Sequence, residues 1–151
     1  MSTDQQANKG HGGFSRWMQH KMNARMNRKV RSGKGTFMGM DVLILHTVGR
    51  RSGTPRQTPI SWFADGDDNG WLLVASGGKN GHPDWHLNLM GHPEQATVEL
   101  PGEEPRAVAP RVLAGEERAR AWDAITAAQP RYGKYQAKSD HEYAVVRLSP
   151  R

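Results

Sequence analysis

The densest concentration of reactive side chains lies in Gly49-Arg50-Arg51-Ser52-Gly53-Thr54-Pro55-Arg56, between two apolar runs. Guanidinium forks match the oxygens of phosphate and carboxylate, and a serine hydroxyl adds a neutral donor. Gly49 and Gly53 are expected to permit a positive-φ backbone, through which successive N–H groups converge on one anion. The stretch reads as an anion cradle, against the plainer reading of a solvated hairpin whose arginines serve solubility. Beyond Pro55 the chain should be extended, with Arg56, Thr58 and Ile60 on one face and Gln57, Pro59 and Ser61 on the other. A second glycine-rich loop with a cation, Ser76-Gly77-Gly78-Lys79-Asn80-Gly81, ends a later apolar run. Two such loops suit a ligand with an anionic tail and a flat head: the tail near Arg51, Ser52 and Arg56, the ring against the Ser76 to Gly78 backbone.

His82-Pro83-Asp84-Trp85 opens a short helix with proline in its first turn, and Trp85, Asn88 and Leu89 share one of its faces. Trp85 and Leu89 read as packing residues; Asn88 either offers its amide to a ligand oxygen or ties off the adjacent loop. Tyr132 and Tyr135, three apart, would project together from a helical turn, as an aromatic wall with phenolic donors over a substrate or as a capped core edge. His82, His86 and His92 make a poor metal set, because Pro83 stands at the helix start and no third ligand has matching spacing.

The elements that position these groups are mostly strands. Asp41 to Thr47 is too short and apolar for a helix and reads as a buried strand, pairing with Arg56 to Ala64. The turn Asp65-Gly66-Asp67-Asp68-Asn69-Gly70 leads to a third strand, Trp71 to Ser76. Gln95 to Leu100 and Arg106 to Leu113 are two further strands. A helix from Glu116 to about Ala128 should turn Ala119, Trp122 and Ile125 or Thr126 inward. A last strand spans Tyr143 to Leu148. The order βββ-α-ββ-α-β, with glycine-rich turns, predicts a mainly β (α+β) domain: a small antiparallel barrel with flanking helices.

One domain is expected from 151 residues. The absence of cysteine excludes disulfides, thiolate metal sites and thiol nucleophiles. No apolar run approaches the roughly 20 residues of a membrane span, and a cytoplasmic protein is expected. The net charge of +6 is unevenly placed: residues 1–40 hold eight Lys and Arg against Asp4 alone, while the remainder is nearly neutral. That balance argues against nucleic-acid binding by the body. It also divides the chain into a basic leader, residues 1–35, disordered and then helical, and a domain over residues 36–151. In the leader Phe14, Trp17, Met18, Met22 and Met26 recur at helical spacing among basic residues. Such a helix over residues 14–30 lies on anionic lipid at the inner face of the membrane, covers a groove, docks on a partner, or packs on the domain's own core.

Taken together, Gly49-Arg50-Arg51-Ser52-Gly53-x-x-Arg56-x-Thr58-Pro59, Val74-Ala75-Ser76-x-Gly78, Pro83-x-Trp85-x-x-Asn88 and Pro130-x-Tyr132-x-x-Tyr135-Gln136 resemble the deazaflavin-dependent nitroreductase family, with its quinone-reducing relatives. The match runs in order over residues 40–150. It implies a split β-barrel related to FMN-binding barrels, with reduced coenzyme F-420 as hydride donor. It also implies cofactor contacts from Arg50, Arg51, Ser52, Arg56, Gln57, Thr58, Pro59, Ile60 and Ser61. Further contacts come from Val74, Ala75, Ser76, Gly77, Gly78 and Lys79, then from Asp84, Trp85, His86, Leu87 and Asn88, and from Tyr135. Tyr132, Tyr135 and Ser76 are the implied substrate contacts, with Tyr135 and Ser76 as the groups that polarise the acceptor or deliver a proton.

The expected activity is hydride transfer from reduced coenzyme F-420 to a lipophilic electrophile: a quinone, an activated C=C such as an enone, or a nitroaromatic. An FMN-dependent oxidoreductase on the same barrel and a non-catalytic deazaflavin-binding module are the alternatives. No metal and no nucleic acid are expected, and the chain is expected as a monomer or homodimer.

Overall fold

A computed structural model describes residues 21–66, 70–76 and 82–151. The leader's Phe14, Trp17 and Met18, the turn residues Asp67 to Asn69 and the loop residues Gly77 to Gly81 lie outside the described residues.

Seven strands are present: β1 (Thr36–Phe37), β2 (Met40–Val48), β3 (Pro55–Ala64), β4 (Trp71–Ala75), β5 (Thr97–Glu99), β6 (Arg106–Val112) and β7 (Ala144–Pro150). Helix α1 covers residues 21–31 of the described chain. It is followed by α2 (Asp84–Gly91), α3 (Gly115–Ala128) and α4 (Arg131–Lys138). The sheet order is β1-β2-β3-β4-β7-β6-β5, and β5 pairs back onto β2, which closes an antiparallel barrel of six strands with β1 appended. Closure removes the free edges that an open sheet of this length would expose.

Strand β2 is apolar nearly throughout because both of its faces are covered. Leu43 and Leu45 point into the barrel with Leu73, Val98, Val108, Val146 and Leu148. Val42 and Ile44 point outward under Val30 and Met26 of α1. The end of the leader helix is therefore packed on the barrel: Val30 is fully buried, and Arg31 reaches Glu99 (3.0 Å) and Gln57 (2.6 Å). A third cluster, Leu72, Val74, Leu113, Ala121, Ile125, Tyr143 and Val145, fills the space between β4, β7 and α3.

The inward face of α3 differs from the expected one. Ala121 and Ile125 are buried and Ala119 is exposed. Arg118 takes the place beside them, its guanidinium 5.2 Å from the Trp122 ring centroid and donating to the Tyr143 carbonyl. A long side chain that buries its stem while its head finds a carbonyl can hold a position that a pattern of apolar letters assigns to alanine.

Candidate active site

The site is built on an interruption in the barrel wall. Strand β3 pairs with β2 at eight positions, from Asp41↔Trp62 to Val48↔Pro55, but with β4 only at Phe63↔Leu72 and Ala64↔Trp71. Strand β4 turns instead to β7, with five pairs. Beyond Phe63 the two strands part, and β3 from Trp62 back to Pro55 faces an open seam. Backbone groups along such an edge must find water or a ligand. From Arg56 to Phe63 the seam runs about 23 Å at ~3.3 Å per residue, long enough for an extended ligand.

At one end stands the Gly49 to Thr54 loop. Gly53 is in the left-handed region at φ 70°, as expected; Gly49 is not among the positive-φ residues. The reason for Gly49 is close approach. A Cβ there would sit 2.5 Å from Ser52 Oγ and 3.6 Å from Arg56 Nε, so its absence leaves a small concavity bounded by a hydroxyl and a guanidinium. Ser52 Oγ accepts the Thr54 N–H at 3.2 Å, which leaves its own proton for an outside acceptor. Opposite Arg56 in the β2–β3 register, Thr47 buries a hydroxyl with no partner among the described residues. Among the described residues Arg51 and Arg56 form no ion pair within the chain. The donor set therefore suits a phosphate or carboxylate from outside.

Arg50 is differently employed. Its backbone N–H and Nη1 both donate to Asn88 Oδ1, at 3.1 and 2.8 Å, and its Nη2 lies 3.5 Å from the exposed Asp84. Gly91 allows this approach, since a Cβ on it would come within 2.9 Å of Arg50 Cβ. Asn88 thus ties the loop to α2, one of the two roles its position offered. With Oδ1 taken by two donors, its NH2 remains to face a ligand. On the same helix Leu89 is buried and Trp85 half-buried in the barrel core, so Trp85 plugs the barrel. His86 is buried between the stacked His82 ring and the edge of Trp85, and burial first, then His82, lowers its pKa. Its Nδ1 has no hydrogen-bond partner among the described residues. Leu87 is half-exposed.

Along the seam Thr58, Pro59, Ile60 and Ser61 are half-exposed, while Gln57 is engaged by Arg31. Ile60 also packs on the barrel core. Across the gap Val74 and Ala75 are buried, so their backbone rather than their side chains can line it, and Ser76 follows them half-exposed. Gly77, Gly78 and Lys79 lie outside the described residues.

The two tyrosines separate in role. Tyr132 packs edge-on against Phe63 at 5.7 Å, its hydroxyl lies 3.8 Å from Met40 Sδ, and burial pushes its phenol above the ordinary value. Tyr135 stands on Tyr132 at 6.0 Å between ring centroids and is 47% exposed. A packed tyrosine supports an open one beside the closed end of the seam. Elsewhere, a cavity of about 390 Å³ at the β3–β4 hairpin is lined by Trp62, Ala64, Asp65, Gly70, Trp71, Arg106 and Pro150, away from the cradle.

One cluster had no signal in the sequence. Glu99 on β5 joins Arg31 of α1 to His46 of β2, and Arg31 holds its carboxyl below the usual range, with His46 adding to the effect. These partners are 68 and 53 residues apart, so only the barrel brings them together.

Comparison with known proteins shows what the chain as a whole is similar to. The model of a family described as F420H2-dependent quinone reductase matches residues 17–150. An F420H2-dependent quinone reductase of Mycobacterium tuberculosis is 28% identical over 149 residues, covering 91% of this chain and 99% of the relative. Among solved structures, an F420-H2 dependent reductase (FDR-A) is 29% identical with a TM-score of 0.60, covering 72% of this chain and 93% of that one. A chain described as a domain-swapped dimer is 25% identical with a TM-score of 0.61, covering 89% and 98%.

Proposed function

The chain belongs to the F420H2-dependent quinone reductase family, and from that premise we propose how its own residues serve the reaction. It is an oxidoreductase that passes hydride from reduced coenzyme F-420 to an electrophilic acceptor. Within that class we assign a lipophilic quinone as the acceptor, with enones and nitroaromatics as further candidates. The observation that carries the reading is the open β3–β4 seam ending in a cradle where, among the described residues, Arg51 and Arg56 have no carboxylate partner while Arg50 is held by Asn88 and Asp84.

The donor set fits the cofactor's acidic tail. Arg51, Arg56 and the Ser52 hydroxyl would grip its phosphate, and β3 from Gln57 to Ser61 would guide the ligand toward the ring site. Val74, Ala75 and Ser76 would bound the ring by their backbone, with Asp84 to Asn88 closing the side behind the cradle. When bound, the reduced deazaflavin supplies the hydride. The protein's task is to hold an acceptor carbon within reach and exclude water. Reducing a quinone to a hydroquinone takes one hydride and one proton, and the proton must come from a group at the acceptor oxygen. Tyr135 can donate it from its phenol and recover it from solvent, because it is half-exposed, with Ser76 as the second candidate donor. Tyr132, packed edge-on against Phe63 and against the Tyr135 ring, positions Tyr135.

The basic leader, residues 1–35, is assigned to peripheral contact with an anionic membrane surface through residues 14–30, and residues 36–151 to the cofactor-binding barrel. Met22, exposed on α1, supports that division, while Val30 anchors the leader. The relative described as a domain-swapped dimer supports a homodimer.

The test is reoxidation of reduced coenzyme F-420 by a naphthoquinone. The wild type should turn over, and Arg51→Ala and Arg56→Ala should each bind the cofactor more weakly by about 1.5–3 kcal/mol, the range for charge-assisted hydrogen bonds. Wild-type affinity in both variants would refute the cradle.

A further inference from the structure

The end of the leader helix grips the back of the strand that carries the cradle. In the β2–β3 register Thr47 pairs with Arg56 and His46 with Gln57, so these successive rungs present opposite faces of the sheet. The first rung belongs to the cradle. The second shares the outer face with Ile44, which is covered by Val30 and Met26 of α1. His46 also pairs with Thr97 of β5, so β2 runs here between β5 and β3. Arg31 reaches across it. Its Nε and Nη2 donate to the two oxygens of Glu99 on β5, at 3.3 and 3.0 Å, and the same Nη2 donates to Gln57 Oε1 on β3 at 2.6 Å. Between them His46 hydrogen-bonds the Glu99 carboxylate.

Strand β3 needs such a hold. From Pro55 to Trp62 it pairs with β2 alone, because its pairing with β4 starts at Phe63. A segment bonded along one edge opens at lower cost than one bonded along both. The tie from Arg31 to Gln57 steadies that segment from outside the hairpin, one residue from Arg56 in the chain. Its anchor is the Glu99 carboxylate, whose side chain is 11% exposed.

We propose that Arg31 is a positioning residue for the cofactor. Through Gln57 it sets the Arg56 end of β3 in the geometry that grips the acidic tail, and it thereby couples docking of the leader helix to cofactor affinity. The inference rests on the deazaflavin reading of the cradle. Coupling between two binding events is reciprocal: the factor by which a docked leader raises cofactor affinity is the factor by which bound cofactor raises leader docking. One exposed hydrogen bond contributes modestly, so that factor is about three to ten.

The experiment titrates the full chain with coenzyme F-420 by fluorescence, and follows limited trypsin digestion of the leader by mass spectrometry with and without saturating coenzyme. Arg25, Arg28 and Lys29 are exposed on α1, but a helical backbone is cleaved only when the helix lifts and unwinds. In the wild type, coenzyme should slow cleavage at these residues by about three- to tenfold. Lysine is shorter than arginine and lacks its planar fork, so Arg31→Lys keeps the charge and the pair with Glu99 and gives up Gln57. That variant should bind coenzyme about three- to tenfold more weakly with an unchanged melting temperature, and saturating coenzyme should no longer protect its leader. Its retained charge separates this effect from simple attraction of the tail to a basic leader. Gln57→Met should show the same losses, and the double variant no further loss, because both changes remove one link. A merely structural Arg31 would lower the melting temperature and leave the protection in place. Wild-type affinity in Arg31→Lys, leader cleavage that ignores bound coenzyme in the wild type, or additive losses in the double variant would overturn the proposal. If coenzyme binding depends on Arg51 and Arg56 but not on Arg31, the cradle stands and the clamp fails; a wild type that binds no coenzyme overturns both.

Discussion

Asn88 joins the cradle to the body of the barrel, and removing its amide tests whether the loop is held ready for its ligand. Its Oδ1 accepts the Arg50 backbone N–H and Nη1 at 3.1 and 2.8 Å. In Asn88→Ala the N–H loses its partner, at a cost of about 1–3 kcal/mol. The guanidinium loses less, roughly 0–1 kcal/mol, because the Arg50 side chain is 34% exposed and Asp84 remains beside it. The sum is about 1–4 kcal/mol. For a domain of this size that lowers Tm by roughly 2–16 °C. A loop untied in the free protein must be ordered when the cofactor binds, and each 1.4 kcal/mol charged to binding weakens affinity about tenfold. Asn88→Asp keeps an acceptor facing Arg50 and should recover most of both losses. Calorimetry and a fluorescence titration of coenzyme F-420 read the two effects separately. A Tm within about 2 °C of wild type in Asn88→Ala, or equal losses in the Asp and Ala variants, would refute the reasoning.

Two further outcomes follow from the same structure. Glu117 is held at about 2, against an ordinary 4.5, by hydrogen bonds from Arg111 and then Arg147. A depressed carboxyl contributes fully above its unfolded value and loses that contribution as pH falls through the folded one, so the Tm gap between wild type and Glu117→Gln should be constant above about pH 5 and narrow steadily below it; a gap independent of pH between 5 and 3 would contradict this. Tyr135→Phe should lower kcat about tenfold, or about 1.4 kcal/mol in the barrier, with a much smaller change in cofactor affinity; an unchanged kcat in stopped-flow turnover would remove Tyr135 from proton delivery.

Local order was legible because it is written in local pattern. The continuous apolar run of β2, the Gln95 to Leu100 and Arg106 to Leu113 strand pair and the α2 start at Pro83 all fall within a few residues of where spacing and turn residues place them. The two-residue strand β1 was missed, because Thr36 and Phe37 carry no alternation long enough to register and are ordered by pairing with Asp41 and Met40. Gly49 was a candidate for the right loop and the wrong reason: sequence shows that a glycine is present, while only the positions of Ser52 and Arg56 show that it is needed for space. Arg50 illustrates the same limit. Three arginines in seven residues look equivalent until the fold brings Asn88, 38 residues away, against one of them. Arg147, which bridges Asp65, just past the end of β3, to Glu117 on α3, is likewise an ordinary strand residue until the barrel closes around it.

The central claim is that the seam between β3 and β4 holds a deazaflavin with its acidic tail in the Gly49 to Arg56 cradle. Titrating the purified full-length chain with coenzyme F-420 and separately with FMN, following each cofactor's own fluorescence, tests it most directly. The account predicts tight binding of coenzyme F-420, weak binding of FMN, and loss of the former in Arg51→Ala and Arg56→Ala. Preferential binding of FMN, or binding of coenzyme F-420 that ignores both arginines, would contradict it.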